Sequence, residues 1–210
     1  MSTLDDQRRE AGEAAALLVE PGMRVGLGTG DTVAWFLRAL GARRLTGLRC
    51  VATSPETEAA AGPLGIPVEP FTELDRLDIA VDGADQIAPD RWAVKGGHGA
   101  HLREKIVAAA ADRFVVIVSQ EKVVDRVGPP VPLELRRFGL PVAIRSVGHV
   151  KLREGAPITP DGGIVADYIG PIDDAEALAR RLDANPGVAA HGLFPPSMIA
   201  EVFVGSRSLG

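Results

Sequence analysis

The chain has 210 residues, of which 46% are hydrophobic and 24% charged, and its formal net charge is −5. Both fractions are close to those of soluble globular domains, which excludes disordered and fibrous classes. The length suits one elaborated domain or two small ones. The mild acidic charge and the scattered arginines exclude a phosphate-backbone binder, so we expect no nucleic-acid partner.

The sequence also bears on compartment and membrane. Cys50 is the single cysteine, so neither an internal disulfide nor a cysteine-based metal site can form. Residues 1–10 are polar and charged where a signal peptide needs an apolar segment, and no stretch approaches the roughly 20 apolar residues of a membrane span. We therefore expect a cytoplasmic protein with no membrane partner.

Helices alternate with strands along the first part of the chain. Helices are predicted at residues 5–20, 33–40, 53–61 and 102–111. Strands are predicted at residues 23–27, 48–52, 67–68, 77–81 and 114–118. Such alternation indicates an α/β fold in which a mostly parallel sheet is covered by helices on both faces.

The pattern changes after Val127, where residues 128–132 form a proline-rich connector. Beyond it the segments are short and more antiparallel in character. A hairpin turn, a capped helix and two strands are predicted at residues 159–163, 173–182, 187–193 and 199–204. We therefore predict a Rossmann-like catalytic domain over residues 1–127, to which residues 205–210 return, and a smaller α+β domain over residues 128–204.

Three glycines, Gly26, Gly28 and Gly30, lead from a predicted strand into a predicted helix. A glycine backbone approaches a ligand closely, and the first amides of a helix attract an anion. The segment is therefore either a phosphate site or only a tight turn. A dinucleotide fingerprint needs a glycine where Asp31 stands, which disfavours a nicotinamide cofactor. We expect no cofactor.

Four ionisable residues stand in two glycine-containing segments. Asp82 and Asp85 follow a hydrophobic strand at its carboxyl end, where ligands gather in open α/β sheets, although a turn with two solvated or capping acids has the same pattern. Lys95 either supplies a fixed positive charge or lies on the surface. Glu104 either acts on a ligand or only complements a helix dipole. Together such groups can move a proton between neighbouring carbons of a sugar, which makes an isomerase the first hypothesis.

The histidines give a weaker signal. His98 and His101 are three residues apart, which suggests a metal site, but no third histidine or cysteine is nearby and carboxylates would have to complete it. We therefore expect no metal. For His149 and His191, which have no evident partner in the sequence, a structural or surface role is favoured.

Taken together, these segments resemble ribose-5-phosphate isomerase of the A type, over nearly the whole chain. The match is specific because five separated motifs occur in order. They are GLGTGDT at residues 26–32, TSPET at 53–57, DGAD at 82–85, KGGHGAHLREK at 95–105 and PLEL at 132–135. The family's versions are GxGTGST, TSxxT, DGAD, KGGGxAxxxEK and PVEV. Gly187 and residues 192–194 are similar to the family's closing PGV and GLF.

The resemblance implies a cofactor-free isomerisation of D-ribose 5-phosphate to D-ribulose 5-phosphate through an enediolate. It also implies a Rossmann-like large domain, a ferredoxin-like small domain and a homodimer or homotetramer. Glu104 would move the proton between C2 and C1, and Asp82 would assist ring opening. Lys95 and nearby amides would stabilise the enediolate oxygen, and Asp85 would hold sugar hydroxyls. The implied substrate-binding residues are Thr29, Gly30, Asp31, Thr32, Gly83, Ala84, Gly96, Gly97, His98 and Lys122.

This sequence departs from the family pattern at three positions. Asp31 stands in place of serine, Gln86 in place of glutamate and His98 in place of a third glycine. Asp31 either faces the ligand, where it would repel a phosphate and favour a different substrate, or caps the following helix as serine does. His98 adds bulk and a titratable group beside Lys95.

Three other functions are compatible with parts of the sequence. A divergent isomerase of a related pentose derivative would explain the changes at Asp31 and His98. A non-catalytic sugar-phosphate sensor is disfavoured, because no helix-turn-helix segment precedes the domain and no basic surface is evident. A coenzyme A transferase with a nucleophilic glutamate is disfavoured by the short chain and by the segment that begins at Lys95.

Overall fold

The computed structural model describes residues 2–209, which form six α-helices and thirteen strands. The helices are α1 (Leu4–Ala16), α2 (Asp31–Ala42), α3 (Pro55–Ala61), α4 (His101–Ala110), α5 (Leu140–Val147) and α6 (Ala175–Asp183). The first seven strands are β1 (Arg24–Leu27), β2 (Arg49–Ala52), β3 (Ile79–Asp82), β4 (Gln86–Ile87), β5 (Ala93–Val94), β6 (Phe114–Val118) and β7 (Val131–Leu135). The others are β8 (Val150–Leu152), β9 (Ile164–Tyr168), β10 (Val188–His191), β11 (Leu193–Phe194), β12 (Ile199–Val204) and β13 (Arg207–Leu209).

The chain divides into two units, each built from separate stretches of sequence. The first unit contains residues 2–84, 106–123 and 197–209, and the second contains residues 85–105 and 124–196. Helix α4 therefore contributes its first five residues to the second unit and its remainder to the first. No helix among the described residues is long and apolar enough to cross a membrane.

The first unit is built on a six-stranded sheet in the order β13-β12-β6-β3-β1-β2. All pairs are parallel except β12 with β13. Strand β1 lies between β2 and β3. The chain therefore passes from β1 to β2 on one side and then crosses to β3 on the other side of β1. This reversal makes a topological switch point, and in open α/β sheets ligands bind beyond the carboxyl ends of the strands at such a point.

Helices α1 and α2 pack against each other in the first unit, and their contact depends on a small residue. A side chain at Gly12 would meet the backbone nitrogen of Phe36 at 2.5 Å, so only glycine allows this approach. The start of α1 is fixed by a capping box in which Thr3 and Asp6 each accept a hydrogen bond from the other's backbone nitrogen. Buried Leu27, Phe36 and Ile117 belong to the core beneath these helices.

The second unit contains two antiparallel sheets. The larger has the order β10-β7-β9-β8 and the smaller has the order β11-β5-β4. Buried Leu133, Leu135 and Leu182 belong to one apolar core in this unit. Helix α6 begins where the side chain of Asp174 accepts a hydrogen bond from the Ala177 amide at 3.0 Å.

The α/β class, the mostly parallel sheet and the separate α+β part are confirmed. Residues 67–68 form only an isolated bridge from Val68 to Cys50. Helix α5 was not expected, because Gly139 and Pro141 resemble helix breakers; Gly139 is instead the N-cap with φ 72°, and Pro141 occupies the first turn, where its missing amide costs nothing.

The units divide the chain at other positions than the predicted domains, whose boundaries stay a prediction. Residues 85–105 belong to the second unit because β4 and β5 pair with each other and with β11. Strand β12 was expected within the smaller domain, but it pairs with β6 in the parallel sheet of the first unit. The sequence of a short apolar strand does not indicate which strand it pairs with, because that depends on the tertiary structure.

Candidate active site

The switch point of the first unit brings together the loop after β1 and the end of β3. Asp82 is 2% exposed, and its Oδ1 accepts backbone hydrogen bonds from Thr29 at 3.0 Å and Gly83 at 2.7 Å. A side chain on Gly28 would collide with the Asp82 carboxylate. Glycine at this position therefore allows the Asp82 carboxylate to receive two amides and holds it in one orientation.

A group of hydroxyls supports the same loop from α3. The Thr29 hydroxyl lies 2.8 Å from the hydroxyls of both Thr53 and Ser54. The Thr57 hydroxyl donates to the Gly28 carbonyl at 2.7 Å. Ser54 also caps α3 through the Thr57 amide at 3.2 Å. The TSPET motif thus fixes the backbone of the glycine loop, and the Thr29 side chain takes part in this support.

Charged residues surround the start of α2. The N-cap is Gly30, with φ 123° and no side-chain cap, so Asp31 does not cap the helix, which was one of the two alternatives for this residue. Asp31 lies in the first turn, where its charge complements the helix dipole. Its side chain is 71% exposed and is 3.4 Å from Arg8, whose guanidinium also lies 3.7 Å from Glu121.

Lys122 was predicted to bind the substrate. Its ammonium lies 3.9 Å from the Glu121 carboxylate, so it belongs to the same charged group as Arg8. No local pattern selects Arg8, because its partners Asp31 and Glu121 are distant along the chain.

The second unit holds the other predicted catalytic residues, and its central feature is a buried ion pair. The ammonium of Lys95 lies 3.1 Å from Oε2 of Glu104, and the two side chains are 2% and 3% exposed. Lys95 follows β5, and Glu104 lies in the first turn of α4. Attraction between opposite charges is much stronger in such a shielded place than on the surface.

The loop that follows Lys95 depends on glycine. Gly96 has φ 102° and Gly99 has φ 78°, and the Gly99 amide closes the turn on the Gly96 carbonyl at 2.9 Å. The Gly97 amide donates to Oδ2 of Asp85 at 2.8 Å. Asp85, predicted to hold sugar hydroxyls, therefore also fixes this loop.

Strand β11 and Gly192, the residue before it, contact Lys95 of the ion pair. The Lys95 amide donates to the Gly192 carbonyl at 2.9 Å, and the Lys95 ammonium lies 5.4 Å from the centre of the Phe194 ring. A side chain at Gly192 would collide with the Lys95 carbonyl. The closing GLF segment thus provides the close backbone contact and the aromatic face on which Lys95 rests.

Lys105 and His191 form a buried polar group that the sequence did not reveal. The Lys105 ammonium donates to the Leu193 carbonyl at 2.9 Å and lies 3.3 Å from Nδ1 of His191. Nδ1 of His191 accepts from the Leu193 amide, so Nε2 donates to Asp183 at 3.0 Å. Burial lowers the pKa of Lys105 to about 8 and that of His191 to about 4.

The two histidines of the glycine segment have opposite environments. His98 is exposed, whereas His101 is fully buried against Gly96. No group of three or more His, Cys, Asp or Glu side chains is arranged for a metal within residues 2–209. Burial lowers the pKa of His101 to about 3, helped by the positive charge of Lys105 and Arg153, while the backbone of Ala190 raises this pKa.

Gln86, which follows the DGAD motif, and Glu134, in the PLEL motif, each make hydrogen bonds that account for their presence. The Gln86 side chain donates to the Gly128 carbonyl at 3.0 Å and accepts from the Gly128 amide at 2.8 Å, a reciprocal pair that a glutamate carboxylate cannot make. Glu134 of the PLEL motif is buried and accepts from the Thr159 hydroxyl at 2.7 Å. Burial raises the pKa of Glu134.

The predicted site residues fall into two groups. Those in the first unit are Thr29, Gly30, Asp31, Thr32, Asp82, Gly83, Ala84 and Lys122. Those in the second unit are Asp85, Lys95, Gly96, Gly97, His98 and Glu104. Within the second unit the structure brings Lys95 to Glu104 and Asp85 to Gly97, and His98 makes none of these contacts.

Residues 49–208 match the model of the family described as ribose 5-phosphate isomerase A (phosphoriboisomerase A). The chain belongs to this family. A ribose-5-phosphate isomerase A from Roseiflexus castenholzii is 47% identical over 208 residues, which cover 91% of this chain and 89% of the relative.

Solved structures of ribose 5-phosphate isomerases have the same fold. The enzyme from Methanocaldococcus jannaschii is 34% identical, covers 99% of both chains and superposes with a TM-score of 0.91. A D-ribose-5-phosphate isomerase in complex with phospho-erythronic acid is 30% identical, covers 98% of this chain and 96% of its own, and has the same TM-score. The resemblance drawn from the motifs is thereby confirmed.

The buried neutral His101 predicts an acid-sensitive fold. Its pKa is about 3 in the native state and 6.5 in the unfolded chain. Between those values the unfolded chain binds a proton that the native state does not, so the free energy of unfolding falls as the pH is lowered. At 1.36 kcal/mol per pKa unit, the loss is about 3 kcal/mol by about pH 4.5.

Urea denaturation of the wild type and His101→Leu across that pH range measures this term. We expect the variant to lose less stability on acidification, because leucine cannot take up the proton. His98→Gln is the matched control, since His98 is exposed. Parallel curves for the wild type and His101→Leu would contradict the assignment of the acid sensitivity to His101.

Proposed function

We propose that this protein interconverts D-ribose 5-phosphate and D-ribulose 5-phosphate through an enediolate. The observation that carries the proposal is the buried Glu104–Lys95 pair beside a glycine loop, in a member of the ribose 5-phosphate isomerase A family. The relative that binds phospho-erythronic acid supports it. That ligand has a carboxylate, whose two oxygens share one negative charge as those of an enediolate do.

Glu104 is the base in this reaction. It takes the proton from C2 of the open-chain aldose, and the electrons of the broken C–H bond form the C1–C2 double bond of the enediolate. Return of the proton to C1 completes the ketose, while a second proton moves between the two oxygens. The carboxylate is 3% exposed and held on a helix, so one rigid group can serve both carbons.

Lys95 provides the compensating charge. Its ammonium neutralises Glu104 before reaction, and it stabilises the enediolate oxygen once Glu104 has taken up the proton. The glycine-loop amides assist it. We assign ring opening to Asp82 and the binding of sugar hydroxyls to Asp85.

The remaining predicted residues would hold the substrate's polar end or line the site, chiefly around the phosphate. They are Thr29, Gly30, Asp31, Thr32, Gly83, Ala84, Gly96, Gly97, His98 and Lys122. Arg8 brings a positive charge to the first turn of α2, where it pairs with Asp31.

We infer that the protein acts in cytoplasmic pentose phosphate metabolism as a homodimer or homotetramer. Its exposed apolar side chains support self-association, since Phe138 is 97% exposed and Val142 is 57% exposed. Sedimentation equilibrium is expected to give two or four times the monomer mass. A monomer at micromolar concentration would contradict this part of the proposal.

Replacing the base tests the mechanism. We expect Glu104→Gln to lower kcat for D-ribose 5-phosphate by about 10³-fold or more, because the amide cannot accept the C2 proton. A coupled assay for D-ribulose 5-phosphate measures the rate, and circular dichroism checks the fold. Glu134→Gln is the matched control, a buried glutamate whose partner is the Thr159 hydroxyl.

Two outcomes would count against the proposal. An inactive wild type with its fold intact would favour a sugar-phosphate-binding protein without catalysis. Equal activity of the wild type and Glu104→Gln would remove Glu104 from the role of base.

Asp31 favours one second candidate, an isomerase of a related pentose derivative with different recognition at Asp31 and His98. A carboxylate about 4 Å from a phosphate repels it by about 1 kcal/mol per unit charge in water. If the substrate is D-ribose 5-phosphate and its phosphate lies at the start of α2, Asp31→Ser should lower KM about fivefold for a phosphate monoanion and about 30-fold for a dianion, and leave kcat unchanged.

The comparison sugar is D-ribose, which lacks the phosphate. Its KM should be the same for the wild type and Asp31→Ser. Negligible wild-type turnover of D-ribose 5-phosphate that Asp31→Ser restores would instead support the second candidate, with the Glu104 chemistry retained and the natural substrate changed.

A further inference from the structure

Arg153 joins the glycine loop to the larger sheet of the second unit. It follows β8, and its Nη1 donates to the carbonyls of Gly96 at 3.1 Å and Gly97 at 2.7 Å. Its Nε and Nη2 donate to the two carboxylate oxygens of Asp167 on β9 at 2.8 and 2.7 Å. One side chain therefore makes four hydrogen bonds, two to the loop and two to the sheet.

We propose that Arg153 is a positioning residue for the isomerisation, because it holds the peptide groups of Gly96 and Gly97 in one orientation with Asp167 as its anchor. The proposal rests on the function proposed above. It extends that function to two residues, Arg153 and Asp167, that no motif contains.

The planarity of the peptide bond determines which way the amides of this loop point. In a trans peptide the C=O and the following N–H point in opposite directions. With the Gly96 carbonyl on Arg153, the Gly97 amide faces away from Arg153, and it is bonded to Asp85. With the Gly97 carbonyl on Arg153, the His98 amide faces away as well. Arg153 thus aims two successive amides away from itself.

Those amides need an external constraint because the loop is rich in glycine. Gly96 has φ 102° and Gly99 has φ 78°, and glycine backbones rotate more freely than others. Within the described residues no group accepts a hydrogen bond from the His98 amide. It is therefore a backbone donor available for an oxygen that gains negative charge during reaction.

The chemistry of Arg153 and Asp167 suits a rigid support for the loop, which we call the clamp. A guanidinium is planar and carries donors on both sides, so it can bind a carboxylate through two atoms and still reach carbonyls with the third. The hydrogen bond to Asp167 and the nearby Asp167 and Asp85 charges raise the pKa of Arg153. Lysine cannot replace this geometry, because its single nitrogen cannot occupy all four positions.

The test uses steady-state kinetics on purified full-length protein. We expect Arg153→Met and Arg153→Lys to lower kcat for D-ribose 5-phosphate about 10- to 100-fold with KM changed less than about threefold, because misplaced donors cost the transition state more than the bound substrate. Asp167→Asn should have a smaller effect of the same kind. Combined with Arg153→Met it should add little, since the two residues act as a unit.

Arg136→Met is the matched control. Arg136 is an exposed arginine of the same unit whose Nε donates to the Pro186 carbonyl at 3.1 Å, so it loses the same charge and one carbonyl contact without touching the loop. A folded Arg153→Met with kcat within about twofold of the wild type overturns the proposal. So does a loss of activity explained entirely by a lower fraction of folded protein, with normal kcat per folded molecule.

Hydrogen exchange of the loop amides separates this inference from the proposed function. Faster exchange at the Gly97 amide, which donates to Asp85, is expected in Arg153→Met compared with Arg136→Met, whether or not the protein turns over D-ribose 5-phosphate. An inactive wild type with that difference present rejects the substrate and leaves the clamp supported. An active wild type with unchanged exchange and unchanged kcat in Arg153→Met rejects the clamp.

Discussion

The buried pair of Lys95 and Glu104 is the interaction on which the second unit's arrangement depends. An unpaired charge is unfavourable in a buried environment, and removing one partner of a buried ion pair typically lowers the free energy of unfolding by about 3–5 kcal/mol. The surrounding chain therefore has to hold both groups together: β11 supports Lys95 through Gly192 and Phe194, and the first turn of α4 carries Glu104. Burial of two charged groups also costs desolvation free energy, which suggests that the Lys95–Glu104 pair serves the reaction and not stability alone.

The first unit holds its own charged group by a different means. Asp82 receives two backbone amides, and the loop that supplies one of them is fixed by hydroxyls from α3. Two amide donors on one carboxylate oxygen fix the orientation of the Asp82 side chain. The hydroxyls of the TSPET motif are thus explained by the orientation of a residue elsewhere in the sequence, because they hold the loop that binds Asp82.

The sequence was sufficient to select candidate site residues but not to predict their surroundings. Asp82, Lys95 and Glu104 were selected as candidates because charged residues near glycine turns form a local pattern. Arg153 contacts Gly96 across 57 residues, and Lys105 contacts His191 across 86, so no local pattern encodes either pair. Helix α5 was missed because the glycine and proline that start it also mark turns.

The position of β12 has a consequence for how the protein is made. This strand lies between β6 and β13 in the first unit's sheet, although residues 124–196, all of the second unit, separate it from β6 along the chain. The ribosome therefore releases β1, β2, β3 and β6 long before the strand that covers the β6 edge exists. Such an open edge is prone to pair with another chain, which makes the nascent protein dependent on protection until β12 has emerged.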